Sequence, residues 1–171
     1  MTQETSGTWT RYRLQRKLFS IGEDFWIENE RGERVFKVDG KVMSIHGRFE
    51  LEDRDGAKLA TIETKLFALH PTMRIERDGQ VYATVKKALL TLLHQHYTVE
   101  VRDGQVLEAE GSITDHEYEI LAGEQVVATI SKRWFSVRDA YGVAVAPGQD
   151  DVLVLAIAVC IDELSERAHE H

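Results

Sequence analysis

Residues 74–90 read RIERDGQVYATVKKALL, and this stretch contains the pattern that decides the fold. Residues 49–67 (FELEDRDGAKLATIETKLF) and 118–135 (YEILAGEQVVATISKRWF) repeat its glycine turn and the Ala-Thr-Ile or Ala-Thr-Val step after it. Residues 25–38 (FWIENERGERVFKV) and 97–110 (YTVEVRDGQVLEAE) share the turn without that step. Each copy predicts strand, turn and strand, because the glycine of such a turn adopts the positive φ that other residues avoid.

The alternation of side chains predicts that each hairpin has one apolar face and one polar face. Tyr97, Val99 and Val101 alternate with polar residues, as is typical of an antiparallel sheet that is wet on one side. Five hairpins give about ten strands, and a twisted sheet of that width tends to curl, split or close. Because closure also removes exposed strand edges, we expect a mainly β, closed or nearly closed antiparallel barrel.

The C-terminal segment departs from this pattern. Residues 141–146 (YGVAVA) predict one more strand, whereas residues 152–161 (VLVLAIAVCI) are apolar without interruption. The β-branched residues of that run suit a strand by propensity. An acidic cap at Asp150 or Asp151 instead favours a helix, which we expect over about residues 151–168. A helix that is apolar on every side must be buried on every side, and a barrel interior provides that environment.

The size of the chain indicates one folded domain. Its 171 residues are enough for a single domain with a complete core. We expect a flexible N-terminus over residues 1–10 and one barrel domain over residues 11–168. The apolar run near the C-terminus is too short for a transmembrane helix, which needs roughly 20 apolar residues.

Charge and cysteine content narrow the classes of partner and site. A net charge of -8 repels nucleic acid and anionic membranes at long range, so any contact with phosphates requires a local basic patch. We therefore expect no nucleic-acid partner. The single cysteine, Cys160, excludes an intramolecular disulfide and a cysteine-cluster zinc site, and its apolar surroundings predict a buried, inert thiol. The first ten residues lack the apolar core of a signal peptide, which predicts a cytoplasmic protein.

Several segments, in their order and spacing, resemble the LURP-one-related family over nearly the whole chain. They are residues 12–20 (YRLQRKLFS), 36–44 (FKVDGKVMS), 130–136 (ISKRWFS), 139–143 (DAYGV), 151–157 (DVLVLAI) and 161–162 (ID). That family is similar to the tubby C-terminal domain and the phospholipid scramblases. The resemblance implies a twelve-stranded antiparallel barrel around a central hydrophobic C-terminal helix. Tubby domains bind phosphoinositides, so the resemblance also implies phospholipid binding, and it offers no catalytic residues.

Basic residues recur at equivalent positions, three to five residues past the first residue of the Ala-Thr step or its counterpart, where the second strand of several repeats is expected to end. They are Lys41, Lys65, Lys86, Lys87, Lys132 and Arg133. If these positions gather at one end of a barrel, they form a basic rim that suits a phosphate headgroup or another anion. The alternative is that they are solvated strand ends, which keep sheet edges soluble. The sequence leaves both readings open.

A second basic cluster lies near the N-terminus. Arg11, Arg13, Arg16 and Lys17 are interleaved with aromatic and apolar residues, a composition that suits a membrane interface. The same alternation suits a first barrel strand, and we favour the strand.

The sequence offers little to a metal ion or to catalysis. His94 and His96 are two residues apart and would face the same side of a strand, but a closed metal site needs further ligands. The spacings of His46, His70 and His116 do not require them to be those ligands. Because no nucleophile elbow, P-loop or dinucleotide-binding motif occurs, we expect no metal, no cofactor and no catalytic residues.

These observations favour a non-enzymatic binding or scaffold domain that recognises an anionic ligand such as a phospholipid headgroup. In that case the cytoplasmic protein would associate peripherally with a membrane. The alternative is a protein-interaction or regulatory module without a small-molecule ligand. An enzyme is the third and least favoured reading.

Overall fold

The chain forms a closed barrel of twelve antiparallel strands around one helix. The computed structural model describes residues 7–15, 24–39, 47–65, 68–88, 94–112, 117–131 and 140–167. The strands are β1 (Thr10–Gln15), β2 (Phe25–Asn29), β3 (Arg34–Asp39), β4 (Arg48–Asp53), β5 (Lys58–Lys65), β6 (Thr72–Arg77), β7 (Gln80–Lys87), β8 (His94–Val101), β9 (Val106–Ser112), β10 (Glu117–Ala122), β11 (Gln125–Ser131) and β12 (Ala140–Val145), and the helix is α1 (Asp151–Arg167). Strands adjacent in the chain are adjacent in the barrel, and β1 closes it by pairing with both β2 and β12. The predicted fold class is confirmed.

The five repeated segments are the hairpins β2–β3, β4–β5, β6–β7, β8–β9 and β10–β11. In β6–β7 the two-residue loop has positive φ at both positions, 52° at Asp78 and 72° at Gly79, which is the type I′ geometry that matches strand twist. The structure describes all five hairpins, including their turns. In four of them the register of the two strands shifts just before the turn. Such bulges increase local twist, and a closed barrel requires that twist.

The two ends of the barrel differ. At the turn end, short turns join the strands of each hairpin, and α1 begins there after β12. At the exit end, the odd-numbered strands finish, the even-numbered strands begin and α1 leaves the barrel. The pairing of Gln15, the last residue of β1, with Ala140, the first residue of β12, places both at the exit end.

The core surrounds α1. Leu155, Ile157 and Cys160 of the helix have no exposed surface, and they belong to one apolar cluster with inward residues of the strands. Complete burial of a leucine or isoleucine side chain contributes roughly 1.5–3 kcal/mol. Cys160 is buried as predicted, and burial raises the pKa of its thiol. No helix in the described part of the chain has the length and apolarity needed to cross a bilayer.

Side chains from the barrel wall hold the first turn of α1. The Asp150 carboxylate accepts a hydrogen bond from the Leu153 amide at 3.1 Å, which confirms the predicted acidic cap. Asp150 also forms an ion pair with Arg77 of β6. The Tyr12 hydroxyl of β1 donates to Asp151. The Tyr82 hydroxyl of β7 also donates to Asp150, at 3.4 Å, so the helix start is bonded to three strands of the wall.

The domain boundaries stay a prediction. Thr10 already belongs to β1, and residues 1–6 lie outside the described part of the chain. The last residues of the expected helix, from 168 onward, also lie outside it.

Candidate functional site

The exit end contains the described members of the predicted basic rim. Lys65 is the last residue of β5, and Lys86 and Lys87 are the last two residues of β7. The strands β3 and β11, which end at Asp39 and Ser131, also finish at this end. Lys41, Lys132 and Arg133 follow those strands in the sequence and lie outside the described residues.

Lys65 and Lys86 share the outer face of the barrel. Each of them is the register partner of Thr72 in β6, so the two lysines are separated by two strand spacings, roughly 10 Å. Lys86 Nζ lies 2.9 Å from both carboxylate oxygens of Glu100 in β8. Within the described part of the chain, the Lys65 side chain has no ion pair or hydrogen bond.

Lys87 points into the barrel, because adjacent residues of a strand face opposite sides. Its Nζ donates a hydrogen bond to the Leu164 carbonyl oxygen near the end of α1, at 3.4 Å. Burial lowers the pKa of Lys87, while a positive charge is favourable beside the C-terminus of a helix. Lys86 and Lys87 were grouped together by the sequence prediction, and the structure places them on opposite sides of the wall.

An inner polar cluster, formed by Gln95, Tyr97, Tyr118 and Ser165, lies beside the last turns of α1. Gln95 Oε1 receives hydrogen bonds from Tyr97 and from Tyr118, the latter at 3.1 Å, and lies 2.9 Å from Ser165 Oγ. Ser165 Oγ also lies 2.7 Å from the Ile161 carbonyl oxygen. The same serine oxygen lies 2.9 Å from the Tyr97 hydroxyl and 3.4 Å from the Tyr118 hydroxyl. The cluster thus ties β8 and β10 to the helix.

Burial raises the pKa of both Tyr97 and Tyr118 above the ordinary value of 10.0, so both hydroxyls stay protonated, and able to donate, well into the alkaline range. The ring of Tyr118 lies over Gly111 of β9, where an added Cβ would come within 2.3 Å of it. The glycine therefore provides the space that the tyrosine occupies.

Sequence reasoning missed the inner polar cluster. The signal that could have found it is Gln95, a polar residue at an inward position of β8, between the outward His94 and His96. Its side chain is 3% exposed, and a buried amide requires partners.

The described members of the N-terminal basic cluster, Arg11 and Arg13, lie in strand β1, as predicted. Tyr12 and Leu14 of β1 are buried, while Arg11 and Arg13 face outward. Arg11 lies 3.9 Å from Glu30 and Arg13 lies 3.9 Å from Glu28, so acidic neighbours offset both charges. Arg16 and Lys17 lie outside the described residues.

The predicted histidine pair shares the outer face of β8. The imidazole of His96 contacts the carboxylates of Glu108 and Glu110, with 3.6 Å between Nδ1 and the Glu110 oxygen. The described residues contain no group of three or more His, Cys, Asp or Glu arranged to hold a metal ion. Because His46 and His116 lie outside those residues, the expectation of no metal stays a prediction.

A cavity of about 340 Å³ at the turn end contains two arginines, Arg77 and Arg102, beside Asp78, Gln80 and Tyr82. The guanidinium of Arg77 lies 4.8 Å from the centre of the Tyr82 ring and pairs with Asp150. The charge of Arg77 therefore has a counterion in Asp150, and the cavity lies at the opposite end of the barrel from Lys65 and Lys86.

Comparisons with known proteins agree with the fold. The family model described as LURP-one-related matches residues 10–162. The uncharacterized protein YxjI of Bacillus subtilis (strain 168) is 29% identical over 149 residues, covering 87% of this chain and 90% of that protein. An X-ray structure of an Arabidopsis thaliana protein, AT5G01750, superposes with a TM-score of 0.68 at 21% identity, covering 91% of each chain. Because the family model matches most of the chain, residues 10–162, this chain belongs to the LURP-one-related family.

Proposed function

We propose that this domain is a non-enzymatic binding module that recognises an anionic ligand, such as a phospholipid headgroup, at the exit end of the barrel. The observation that carries the proposal is the placement of Lys65 and Lys86 on one outer face, each the register partner of Thr72. Strands β3 and β11 end at the same end of the barrel, and Lys41, Lys132 and Arg133 follow them in the sequence.

The local charge at this end supports the proposal despite a net charge of -8. The sequence contains no Asp or Glu over residues 64–75 and 79–99, although the chain has 29 acidic residues. At physiological ionic strength, charges beyond about 8 Å are largely screened. An approaching anion therefore responds mainly to the nearest charges, which are Lys65 and Lys86 together with their acidic neighbours Glu63 and Glu100.

The ion pair of Lys86 with Glu100 does not prevent binding. Both side chains are about half exposed, and an exposed ion pair contributes roughly 0–1 kcal/mol. A phosphate with more than one negative oxygen can therefore take Lys86 from Glu100 at little cost.

The non-enzymatic part of the proposal is supported by the state of the reactive groups. Cys160 is buried against the strands, with its thiol kept protonated by a raised pKa. Lys87 is engaged with a helix carbonyl, and the hydroxyls of the inner polar cluster bond to one another. Among the described residues these contacts serve the packing of α1.

Co-sedimentation with anionic and neutral vesicles at low and physiological salt tests this function. Binding should be selective for anionic vesicles and should weaken as salt increases. The double variant Lys65→Glu/Lys86→Glu should lose at least about tenfold in affinity, since each lysine near an anionic surface contributes roughly 1 kcal/mol.

A matched control is Arg31→Glu/Arg54→Glu, which makes the same change of charge in two exposed turns at the turn end. If both double variants bind alike, net charge rather than the exit end governs the interaction. If the wild-type protein binds no anionic vesicle and no soluble phosphate ester, the proposal is wrong.

A further inference from the structure

One large apolar side chain at the exit end lies almost entirely in solvent. Leu69 is 97% exposed, against 40% for Val81 and 48% for Val106, the other exposed large hydrophobic residues of the described part. It lies in the connection between β5 and β6, four residues after Lys65 in the sequence. Single exposed apolar residues are common on proteins, so the surroundings of Leu69 decide whether it has a role.

The connection holds Leu69 in place from its C-terminal side. The Thr72 hydroxyl donates to the His70 carbonyl oxygen at 2.7 Å, and the Lys87 amide donates to the Pro71 carbonyl oxygen at 2.9 Å. The ring of Pro71 restricts the backbone further. Presenting Leu69 to a partner therefore requires little additional ordering of the chain, which reduces the entropic cost of binding.

The charges around Leu69 select the kind of partner. Lys65 lies at the end of β5 before it, and Lys86 lies on the outer face beyond Thr72. The acid-free stretch of residues 64–75 contains Leu69. An apolar tip flanked by lysines suits an anionic bilayer, because the leucine reaches the acyl region while the ammonium groups meet the phosphates.

We propose that the ligand of the exit end is the surface of an anionic bilayer and that Leu69 inserts into it. This inference rests on the proposed function and adds an apolar contact to the electrostatic one. It makes the leucine, as well as the lysines, a determinant of binding.

The test compares Leu69→Ser with Val106→Ser, which removes an exposed apolar side chain at the turn end. Both variants and the wild-type protein are titrated with phosphatidylcholine vesicles containing phosphatidylserine, and separately with soluble glycerophosphoserine. Leu69→Ser should weaken vesicle binding about tenfold, as expected for a leucine that loses its apolar contact. Val106→Ser should bind like the wild-type protein. Leu69→Ser should keep the wild-type melting temperature, because its side chain lies in solvent, whereas Val106→Ser should lower it slightly because Val106 is only 48% exposed in a strand.

A tryptophan variant tests the insertion of Leu69 through a fluorescence signal, without relying on a loss of binding. Tryptophan favours the membrane interface, so Leu69→Trp should show a blue-shifted emission on vesicle addition, beyond the response of the wild-type tryptophans. Its binding should equal or exceed that of the wild-type protein.

The outcomes separate this inference from the proposed function. Equal vesicle binding by Leu69→Ser and wild type overturns the insertion of Leu69, and so does binding of glycerophosphoserine without vesicles. In either case the anion-binding function stands. Binding to neither probe overturns both. Self-association that Leu69→Ser abolishes, without vesicle binding, shows instead an interface between two copies.

Discussion

Two buried tyrosines near the exit end differ in what their hydroxyl groups contact. The Tyr97 hydroxyl bonds to Gln95 and lies 2.9 Å from Ser165. The Tyr141 side chain is 4% exposed, and its buried hydroxyl has no hydrogen-bond partner among the described residues. We expect Tyr97→Phe to lower the free energy of unfolding by about 1 kcal/mol and Tyr141→Phe to raise it by a similar amount. Urea denaturation at neutral pH measures both changes.

The pair of substitutions provides its own control, because each removes one oxygen atom from a buried ring. If Tyr141→Phe costs as much as Tyr97→Phe, the Tyr141 hydroxyl has a partner, such as an ordered water. Burial and the nearby charge of Asp162 raise the pKa of Tyr141, so the hydroxyl is protonated in either case.

At the scale of elements, the start of α1 depends mainly on two contacts of Asp150, beside the longer hydrogen bond of 3.4 Å that Asp150 accepts from Tyr82. Its carboxylate caps the helix through the Leu153 amide and pairs with Arg77 of β6. We expect Asp150→Ala to lower the free energy of unfolding by about 2 kcal/mol, since it removes both contacts. Asp150→Asn should cost less than about 1 kcal/mol, because asparagine is an equally good cap. Thermal or urea denaturation distinguishes the two variants.

The decisive result is which of the two variants, Asp150→Ala or Asp150→Asn, loses more free energy of unfolding. Equal costs for the alanine and asparagine variants would show that the ion pair with Arg77, rather than the cap, stabilises the helix start. A negligible cost for both would mean that the burial of α1 alone determines its position.

At the scale of the whole molecule, the buried acids of the barrel predict a loss of stability at alkaline pH. Burial raises the pKa of Tyr12, Tyr97, Tyr118 and Tyr141 above the ordinary value of 10.0, and that of Cys160 above 9.0. An acidic group whose pKa is higher in the folded state than in the unfolded state stabilises the fold at every pH below its unfolded-state pKa. This stabilisation is lost as the pH rises from the unfolded-state pKa to the folded-state pKa. The free energy of unfolding should therefore fall above about pH 9–10, by up to about 1.4 kcal/mol per pH unit for each group.

Lys87 contributes to the pH dependence of stability with the opposite sign. Burial lowers the pKa of Lys87, so its side chain loses the buried charge at a lower pH in the folded state than in the unfolded state. The free energy of unfolding therefore rises with pH through this group, and the rise offsets the loss from one of the acidic groups. Denaturation series from neutral to alkaline pH measure the slope, and Tyr97→Phe should show a shallower decline than the wild-type protein. A stability that stays constant beyond the ordinary tyrosine pKa would contradict this prediction.

Part of the candidate site follows from the sequence. The recurrence of basic residues after equivalent strands predicts Lys65 and Lys86, and period-two alternation is enough to separate Lys86 from Lys87. Leu69 is an ordinary apolar residue in the sequence. Its exposure depends on how the β5–β6 connection is held by Thr72 and Lys87, and no local pattern indicates it.

The sequence by itself determined the hairpins, their glycine turns and the buried helix. These features depend on backbone sterics and on side-chain periodicity between near neighbours, which local sequence contains. The tertiary structure alone decided which distant residues meet, such as Gln95 with Ser165 and Tyr12 with Asp151. Those contacts depend on the combined register of all strand pairs around the closed barrel and on the depth of α1 within it. A one-residue shift in any pair would change them, so no single segment specifies them.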